Sequence, residues 1–364
     1  MIDLQALRNL NPYLLIRPLI FRMDAEEAHH ATLKWLKKGI APRFKNNTDQ
    51  SLRVKLLGME FPNPIGLAAG FDKNAEVIPE MFGFGFGAVE VGSITPRPQA
   101  GNPKPRVFRL EDYEAVINRY GMNSDGFDAC LRRIIAYRDS THGIAPGIFG
   151  INIGKNKDSE DMTADYVAGV KKFAPFADYL TLNVSSPNTP GLRNLQGREM
   201  LTDLLQQVIA ARDALPKRTP LFVKIAPDLS DGEMADIADV ALATGIDAMI
   251  VGNTTVSRPE IIPQYLAKET GGLSGKPLFE FSTRVLVRMY KLTGGKIPLV
   301  GCGGVSNGAE AYAKILAGAS LVQLYTALIY QGPLLVTRIN AELSTLLKRD
   351  GFRTVAEALG KGVA

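Results

Sequence analysis

Between Asn183 and Arg193 the chain reads Asn-Val-Ser-Ser-Pro-Asn-Thr-Pro-Gly-Leu-Arg, directly after the β-branched and aromatic run Asp178-Tyr-Leu-Thr-Leu. Prolines and a glycine stiffen this segment, so its hydroxyl and amide groups are held where a strand meets solvent. A loop hydroxyl can carry a proton, and an asparagine offers a donor and an acceptor together. Polar loops of this composition also occur as plain turns, so the surroundings must decide between the two.

Comparable clusters recur: Ala68-Ala-Gly-Phe-Asp-Lys-Asn74, Gly92-Ser-Ile-Thr95, Asn152-Ile-Gly-Lys-Asn156, Lys224, Gly252-Asn-Thr254 and Gly301-Cys-Gly-Gly304. They sit at the downstream ends of apolar or β-branched runs. Eight such runs are candidate strands: Ile65–Ala69, Ala88–Thr95, Gly147–Ile153, Tyr179–Val184, Leu221–Ile225, Ala248–Val251, Ile297–Val300 and Leu321–Tyr325. Helix-like stretches lie between them at Met200–Ala214, Asp231–Ala243, Phe279–Leu292 and Ala309–Leu316, several introduced by Ser, Asp or Asn caps. This alternation predicts an α/β TIM barrel, with a doubly wound open sheet as the competing arrangement. In a barrel every polar cluster would face one rim. Gly303 and Gly304, followed by Ser306 and a helix from near Asn307, are expected to let backbone N–H groups approach a phosphate at a helix N-terminus.

Composition narrows the class. The 364 residues are 46% hydrophobic and 22% charged, enough for one large α/β domain and an appendage. Cys130 and Cys302 stand far apart, which points to buried thiols in a reducing compartment. The three histidines lack the spacing of a metal site, and none is expected. A net charge of +5 suits nucleic acid or acidic lipid, but no arginine-rich groove marks an RNA-binding protein.

Phe71-Asp-Lys-Asn74, Thr95-Pro-Arg-Pro-Gln99 with Gly101-Asn-Pro103, Val116-Ile-Asn-Arg-Tyr-Gly-Met-Asn123, Asn183 to Arg193, Val223-Lys-Ile-Ala-Pro227 and Gly271-Gly-Leu-Ser-Gly275 form a set of six motifs. Together they resemble the dihydroorotate dehydrogenase family. The likeness runs from about Pro12 to about Leu346 and is to the membrane-associated, quinone-reducing class (class 2), bacterial type. It implies an FMN-dependent TIM barrel that oxidises dihydroorotate to orotate in pyrimidine biosynthesis, with one noncovalent FMN per chain. It also implies Ser186 as the base, where the soluble class has cysteine; a serine is a weak base, and Thr189 is the candidate that helps carry its proton away. Ser185 reads as the turn serine.

The same resemblance implies substrate contacts from Lys73, Asn118, Arg119, Tyr120, Gly121, Met122, Asn123, Asn183, Asn188, Asn253 and Thr254. For the flavin it implies Ala69, Gly70, Phe71, Asp72, Lys73, Ser93, Asn152, Asn183, Lys224, Gly252, Gly275, Gly304, Tyr325 and Thr326, and for the quinone His29, Arg109 and Tyr325. Lys224 ends an apolar Leu-Phe-Val run, so it is expected to be buried and to stabilise negative charge on the flavin pyrimidine.

Residues 1–46 read as a helical extension on a catalytic barrel of residues 47–364. Pro12 to Met23 is apolar but interrupted by Arg17 and Arg22, and too short to cross a bilayer, which takes about 20 apolar residues. Asp24 with Glu27 has the form of a capping box for a second helix running to about Lys38. With Lys34, Lys37 and Lys38 beside Trp35 and Leu36, the pair suits an anionic membrane surface or a cap on the barrel base. Met1 to Gln5 lacks the basic start of a secretory signal, so a monomer on the cytoplasmic side of the cell membrane is expected. Competing readings are an NAD- or fumarate-linked flavin barrel, a Schiff-base aldolase using Lys224, and a non-enzymatic membrane-binding module.

Overall fold

The computed structural model describes residues 11–40, 42–44, 49–142 and 146–363. The expected boundary between residues 46 and 47, and the segment Met1 to Gln5, lie outside the described residues. Eight parallel strands close into a barrel: β1 (Ile65–Leu67), β2 (Ala88–Ile94), β3 (Ile148–Ile153), β4 (Tyr179–Asn183), β5 (Leu221–Ile225), β6 (Ala248–Val251), β7 (Leu299–Cys302) and β8 (Ala319–Leu324). Each pairs with its sequence neighbour, and β8 closes on β1 through Val322–Ile65, Gln323–Gly66 and Leu324–Leu67. The fold is the TIM barrel expected from the alternation.

Local chemistry sets the element limits. β7 begins two residues later than the apolar run suggested, because Pro298 has no N–H to give the ladder; its carbonyl still accepts from Met249 N. β8 begins two residues earlier and ends at Leu324, where Tyr325 turns the chain into the helix Thr326–Gln331. The helix Asp231–Thr244 shows both ends of its logic: Ser230 and Glu233 cap each other reciprocally, and Gly245 closes it in the left-handed conformation at φ 69°.

Two features lay outside the eight-strand reading. A hairpin, Val54–Leu56 with Met59–Phe61, turns at Leu57 and Gly58, both at positive φ. A three-stranded antiparallel sheet joins Val107–Leu110, Ala115–Asn118 and Gly272–Gly275, tying the loop after β2 to the loop after β6 over a small core of Leu110, Ile117, Ile262 and Leu273.

Ahead of the barrel lie α1 (Tyr13–Ile20) and α2 (Ala25–Lys37). The Asp24 side chain accepts from the N–H groups of Glu26 and Glu27; only this half of the expected capping box is formed. Leu15 is 72% and Leu19 61% exposed, with Leu14, Ile16 and Trp35 also exposed. Arg17 is not free to meet a surface, since it donates to the carbonyl of Tyr330 at 2.9 Å. No described helix is long and apolar enough to cross a membrane.

A buried ion pair binds this extension to the barrel, beside the more exposed pair of Lys37 with Glu76. Glu26 on α2 is 3% exposed and accepts from Arg106 through Nη2 at 2.7 Å and Nε at 3.0 Å, with Lys104 at 3.6 Å and His30 at 3.5 Å. Burial favours the neutral acid, but the hydrogen bonds and charge of Arg106, with Lys104, outweigh it and hold the carboxyl below its ordinary value. Glu26→Ala should cost about 3 kcal/mol in urea unfolding, because Arg106 stays buried without its carboxylate. The lowered folded-state pKa means that the pair's stabilisation is complete above the ordinary glutamate value of 4.5 and is lost as pH falls through the folded value. That acid-dependent component should be absent from Glu26→Gln.

Candidate active site

A cavity of about 380 Å³ runs from α1 and α2 to the C-terminal rim of the barrel. Most of the residues implicated by sequence meet in its wall: Ala69, Gly70, Phe71, Lys73, Ser93, Asn118, Tyr120, Gly121, Met122, Asn123, Asn183, Ser186, Asn188, Lys224, Asn253, Thr254, Gly275, Gly304, Tyr325 and Thr326, with His29 and Arg109 at the helical end. Five do not line it. Asp72 spends its carboxylate on the N–H groups of Glu76 and Val77, both at 2.8 Å. Arg119 instead donates to the Glu269 carboxylate at 2.8 Å and the Thr270 carbonyl at 3.1 Å. Gly252 is pressed against the chain, where a Cβ would come within 2.2 Å of the Cys302 carbonyl. Asn152 and Thr189 lie behind the wall.

Asn152 belongs to a chain of hydrogen bonds that starts inside the barrel at Glu90, which is fully buried. Glu90 accepts from Asn152 Nδ2 (2.8 Å), Tyr179 Oη (3.0 Å), Thr181 Oγ1 (3.0 Å) and Gln323 Nε2 (2.9 Å). Asn152 Oδ1 in turn accepts from Ser93 Oγ, which accepts from Asn183 Nδ2 at 2.7 Å. Asn183 Oδ1 accepts from Ser185 Oγ at 2.9 Å, and Ser185 Oγ accepts from Asn253 Nδ2 at 2.8 Å. Burial and the Glu90 carboxylate push Tyr179 well above 10, so it remains a donor. Sequence reasoning missed Glu90, Tyr179, Thr181 and Gln323. The available signal was a charged or amide residue inside an otherwise apolar strand, as in Ala-Val-Glu-Val and Leu-Val-Gln-Leu.

The two adjacent serines have different surroundings. Ser186 Oγ accepts from Asn188 N at 3.3 Å in a local turn and faces the cavity, while Ser185 is buried in the amide chain. Thr189 Oγ1 is buried without a hydrogen-bond partner.

Lys73 and Lys224 line the cavity, as does the exposed Lys276. Lys224, at the end of β5, is 4% exposed and has no hydrogen bond or ion pair among the described residues. Lys73 donates to Asn123 Oδ1 at 2.6 Å and lies 3.3 Å from the Tyr120 ring centroid. Removal from water, and then the charge of Arg106, bring Lys73 down to about 7. Because Lys73 can only donate, Asn123 must turn its oxygen to it and present its NH2 to the cavity.

The expected anion site moves. The helix Gly308–Leu316 does start after Asn307, but its first N–H groups are taken: Gly308 donates to Glu342 at 2.6 Å and Glu310 to Asn307 at 2.9 Å. The Glu342 carboxylate and the Asn307 amide oxygen therefore occupy the positive end that a phosphate would need. The N–H groups of Gly304 and Val305, and of Thr326 and Ala327 opening the next helix, have no protein acceptor among the described residues, and all four residues line the cavity. Gly70, at φ 114°, brings bare backbone to the same wall, where a Cβ would lie 3.8 Å from the Tyr325 ring.

Toward the helices the lining becomes aromatic. His29 meets Phe71 edge to face at 5.4 Å, and Phe71 meets Tyr325 likewise at 5.5 Å. Loss of water, then Lys73 and His30, push His29 down to about 3, so the imidazole is neutral. Arg109 bonds the carbonyls of Phe21 (2.8 Å) and Met23, fixing the turn between α1 and α2. Both cysteines are buried and free, and burial pushes Cys130 up to about 12.

Residues 51–347 match the family model for dihydroorotate dehydrogenase. The mitochondrial dihydroorotate dehydrogenase (quinone) of Oryza sativa subsp. japonica is 54% identical over 95% of this chain and 79% of its own length. The dihydroorotate dehydrogenase (quinone) of Xanthobacter autotrophicus is 52% identical over 96% of this chain and 99% of its own. A crystal structure of DHODH from Eimeria tenella in complex with ferulenol is similar at a TM-score of 0.89 and 45% identity, over 93% of this chain and 95% of that one.

Proposed function

Since the chain belongs to the dihydroorotate dehydrogenase family, we propose that the rim oxidises dihydroorotate to orotate for pyrimidine synthesis, using FMN and then a membrane quinone. The observation that carries this reading is the meeting, in one cavity, of an unpartnered buried ammonium, free backbone N–H groups and a set of amide side chains. The residues present fit the cofactor. The N–H groups of Gly304, Val305, Thr326 and Ala327 suit its phosphate, and Lys224 suits the electron-rich edge of its ring system. Bound FMN would supply the two-electron acceptor for the hydride leaving the substrate.

The protein's own groups handle the remainder. Ser186 Oγ takes the proton from the ring carbon next to the one that gives up the hydride and gives its own hydroxyl proton to solvent by way of Thr189, three residues on, a buried hydroxyl with no hydrogen-bond partner among the described residues. Lys73 faces the substrate carboxylate. Asn118, Asn123, Asn183, Asn188 and Asn253 provide the mixed donors and acceptors that a ring of alternating N–H and C=O groups requires. Arg119, held by Glu269, serves the site through its backbone alone. A Schiff-base aldolase would need no such amide set.

The helical end suits the second electron transfer. His29, Phe71, Tyr325 and Arg109 border an apolar route from the rim toward α1 and α2, whose exposed leucines fit the outer layer of a membrane on its cytoplasmic side.

Ser186→Ala should slow flavin reduction by dihydroorotate in rapid mixing by about 10² to 10⁴ while orotate still binds; unchanged reduction would assign the proton to another group. Orotate binding should also depend on pH. The Lys73 ammonium attracts the carboxylate and is lost as pH rises through about 7, so affinity should fall roughly tenfold between pH 6.5 and 8.5 and the slope should vanish in Lys73→Gln. Leu15→Asp combined with Leu19→Asp should abolish co-sedimentation with anionic vesicles and leave flavin reduction by dihydroorotate intact. Retained sedimentation would remove α1 from the membrane contact.

A further inference from the structure

The motif that opens with Asn183 closes with Arg193, which has no part in the site described above; neither it nor Asp228 lines the cavity. Its guanidinium reaches three loops at once. Nε donates to the carbonyl of Ser185 after β4 at 3.0 Å, Nη1 to Asp228 Oδ2 after β5 at 3.0 Å, and Nη2 to the carbonyl of Thr254 after β6 at 3.2 Å. Two of these acceptors are held without it. The peptide joining Thr254 to Thr255 is pinned by the Thr255 N–H, which donates to the Leu273 carbonyl at 3.0 Å. Asp228 accepts from Thr255 Oγ1, from Val256 N at 3.1 Å and from Ser257 Oγ at 3.2 Å.

The third acceptor is different. Asn183 Oδ1 holds the N–H and the hydroxyl of Ser185, at 3.3 and 2.9 Å, and both lie ahead of the peptide that joins Ser185 to Ser186. Beyond that peptide, Asn188 donates to Asn118 and accepts from Asn102, each at 3.2 Å. The joining peptide itself has a single bond among the described residues, from Arg193 to its carbonyl. Its N–H, that of Ser186, has no protein acceptor among the described residues, and Pro187 has no N–H to give.

We propose that Arg193 is a positioning residue: its fork ties the peptide between Ser185 and Ser186 to the frame of Asp228 and Thr254, and so sets the place of Ser186 Oγ against the ring that Asn253 and Thr254 contact. The inference rests on the reading of Ser186 as the base. A guanidinium only donates, and its N–H groups lie in one plane at set angles, so acceptors from three loops meet it in one arrangement. Without it the peptide is free to turn about the bonds on either side. Ser186 moves with that turn, while the groups on both flanks keep their own partners. A displacement of about 1 Å is enough to cost about 10²-fold in rate.

The test is Arg193→Met in the flavin-loaded protein. Flavin reduction by dihydroorotate in rapid mixing should slow about 10- to 100-fold. The dissociation constant of orotate, read from the change in flavin absorbance, should move by no more than about threefold, because the substrate amides keep their own partners. A loop that had merely lost its fold would lose both. In Ser186→Ala, which has no base left to place, the same substitution should cost less than about twofold. Arg193→Lys keeps a cation beside Asp228 but lacks the fork, so it should show the same split of rate from affinity, and it carries the test if Arg193→Met fails to load flavin. An unchanged rate in either flavin-loaded variant, a parallel loss of orotate affinity, or a full cost on top of Ser186→Ala overturns the proposal. Wild-type protein that fails to reduce flavin with dihydroorotate, or Ser186→Ala that reduces it at the wild-type rate, removes the functional reading and this inference with it.

Discussion

Closure of β8 onto β1 is the constraint from which the rest of the molecule follows. Once Val322, Gln323 and Leu324 pair with Ile65, Gly66 and Leu67, eight parallel strands have no free edge, and all their C-terminal ends open on one rim. The polar segments that follow those strands need no long-range design of their own to meet. Closure also creates a buried interior, in which the Glu90 carboxylate gathers hydrogen bonds from Asn152, Tyr179, Thr181 and Gln323 across the barrel wall.

Legibility in the sequence followed the range of the interaction responsible. β5 and β6 were readable to the residue, since each is a short, mostly apolar run bounded by strand-ending residues: Pro220 and Pro227 about β5, Asp247 and Gly252 about β6. Pro298 displaced β7 by a rule that was itself visible in the sequence but that an apolar count overlooks. The rim motifs were readable because each is contiguous and rich in residue types that do little for a core. Glu90 and Gln323 were not: they are 233 positions apart, and each taken alone is simply a polar residue in a strand. Glu26 and Arg106, 80 positions apart, are another such pair. The helix at Gly308 shows the converse error. Its start was plain, but only the fold brings Glu342 to its first N–H and so removes it from anion binding.

The site divides its charges by solvation. Lys73, over the Tyr120 ring and near Arg106, holds its proton loosely and can respond to what binds. His29 is neutral throughout the physiological range and contributes shape rather than charge to the aromatic wall. The loosely held proton therefore lies at the rim, on Lys73, while the passage toward the helices offers neutral rings. The two ends of one cavity differ in chemistry because one is lined by loops of the barrel and the other by helices with an apolar face.

The Glu26–Arg106 pair bears on how such a protein can be recombined. Arg106 also bonds the carbonyls of Ala100 and Asn102, and its guanidinium lies 5.3 Å from the Tyr120 ring centroid. The helical extension is therefore stitched to the loop that shapes the rim, and a cut made by position along the chain severs that stitch. A graft that exchanges α1 and α2 between relatives must carry the matching cation from the loop after β2. Inheritance in this molecule runs along the ion pair rather than along the chain, and the portable unit is a surface composed of two separate segments.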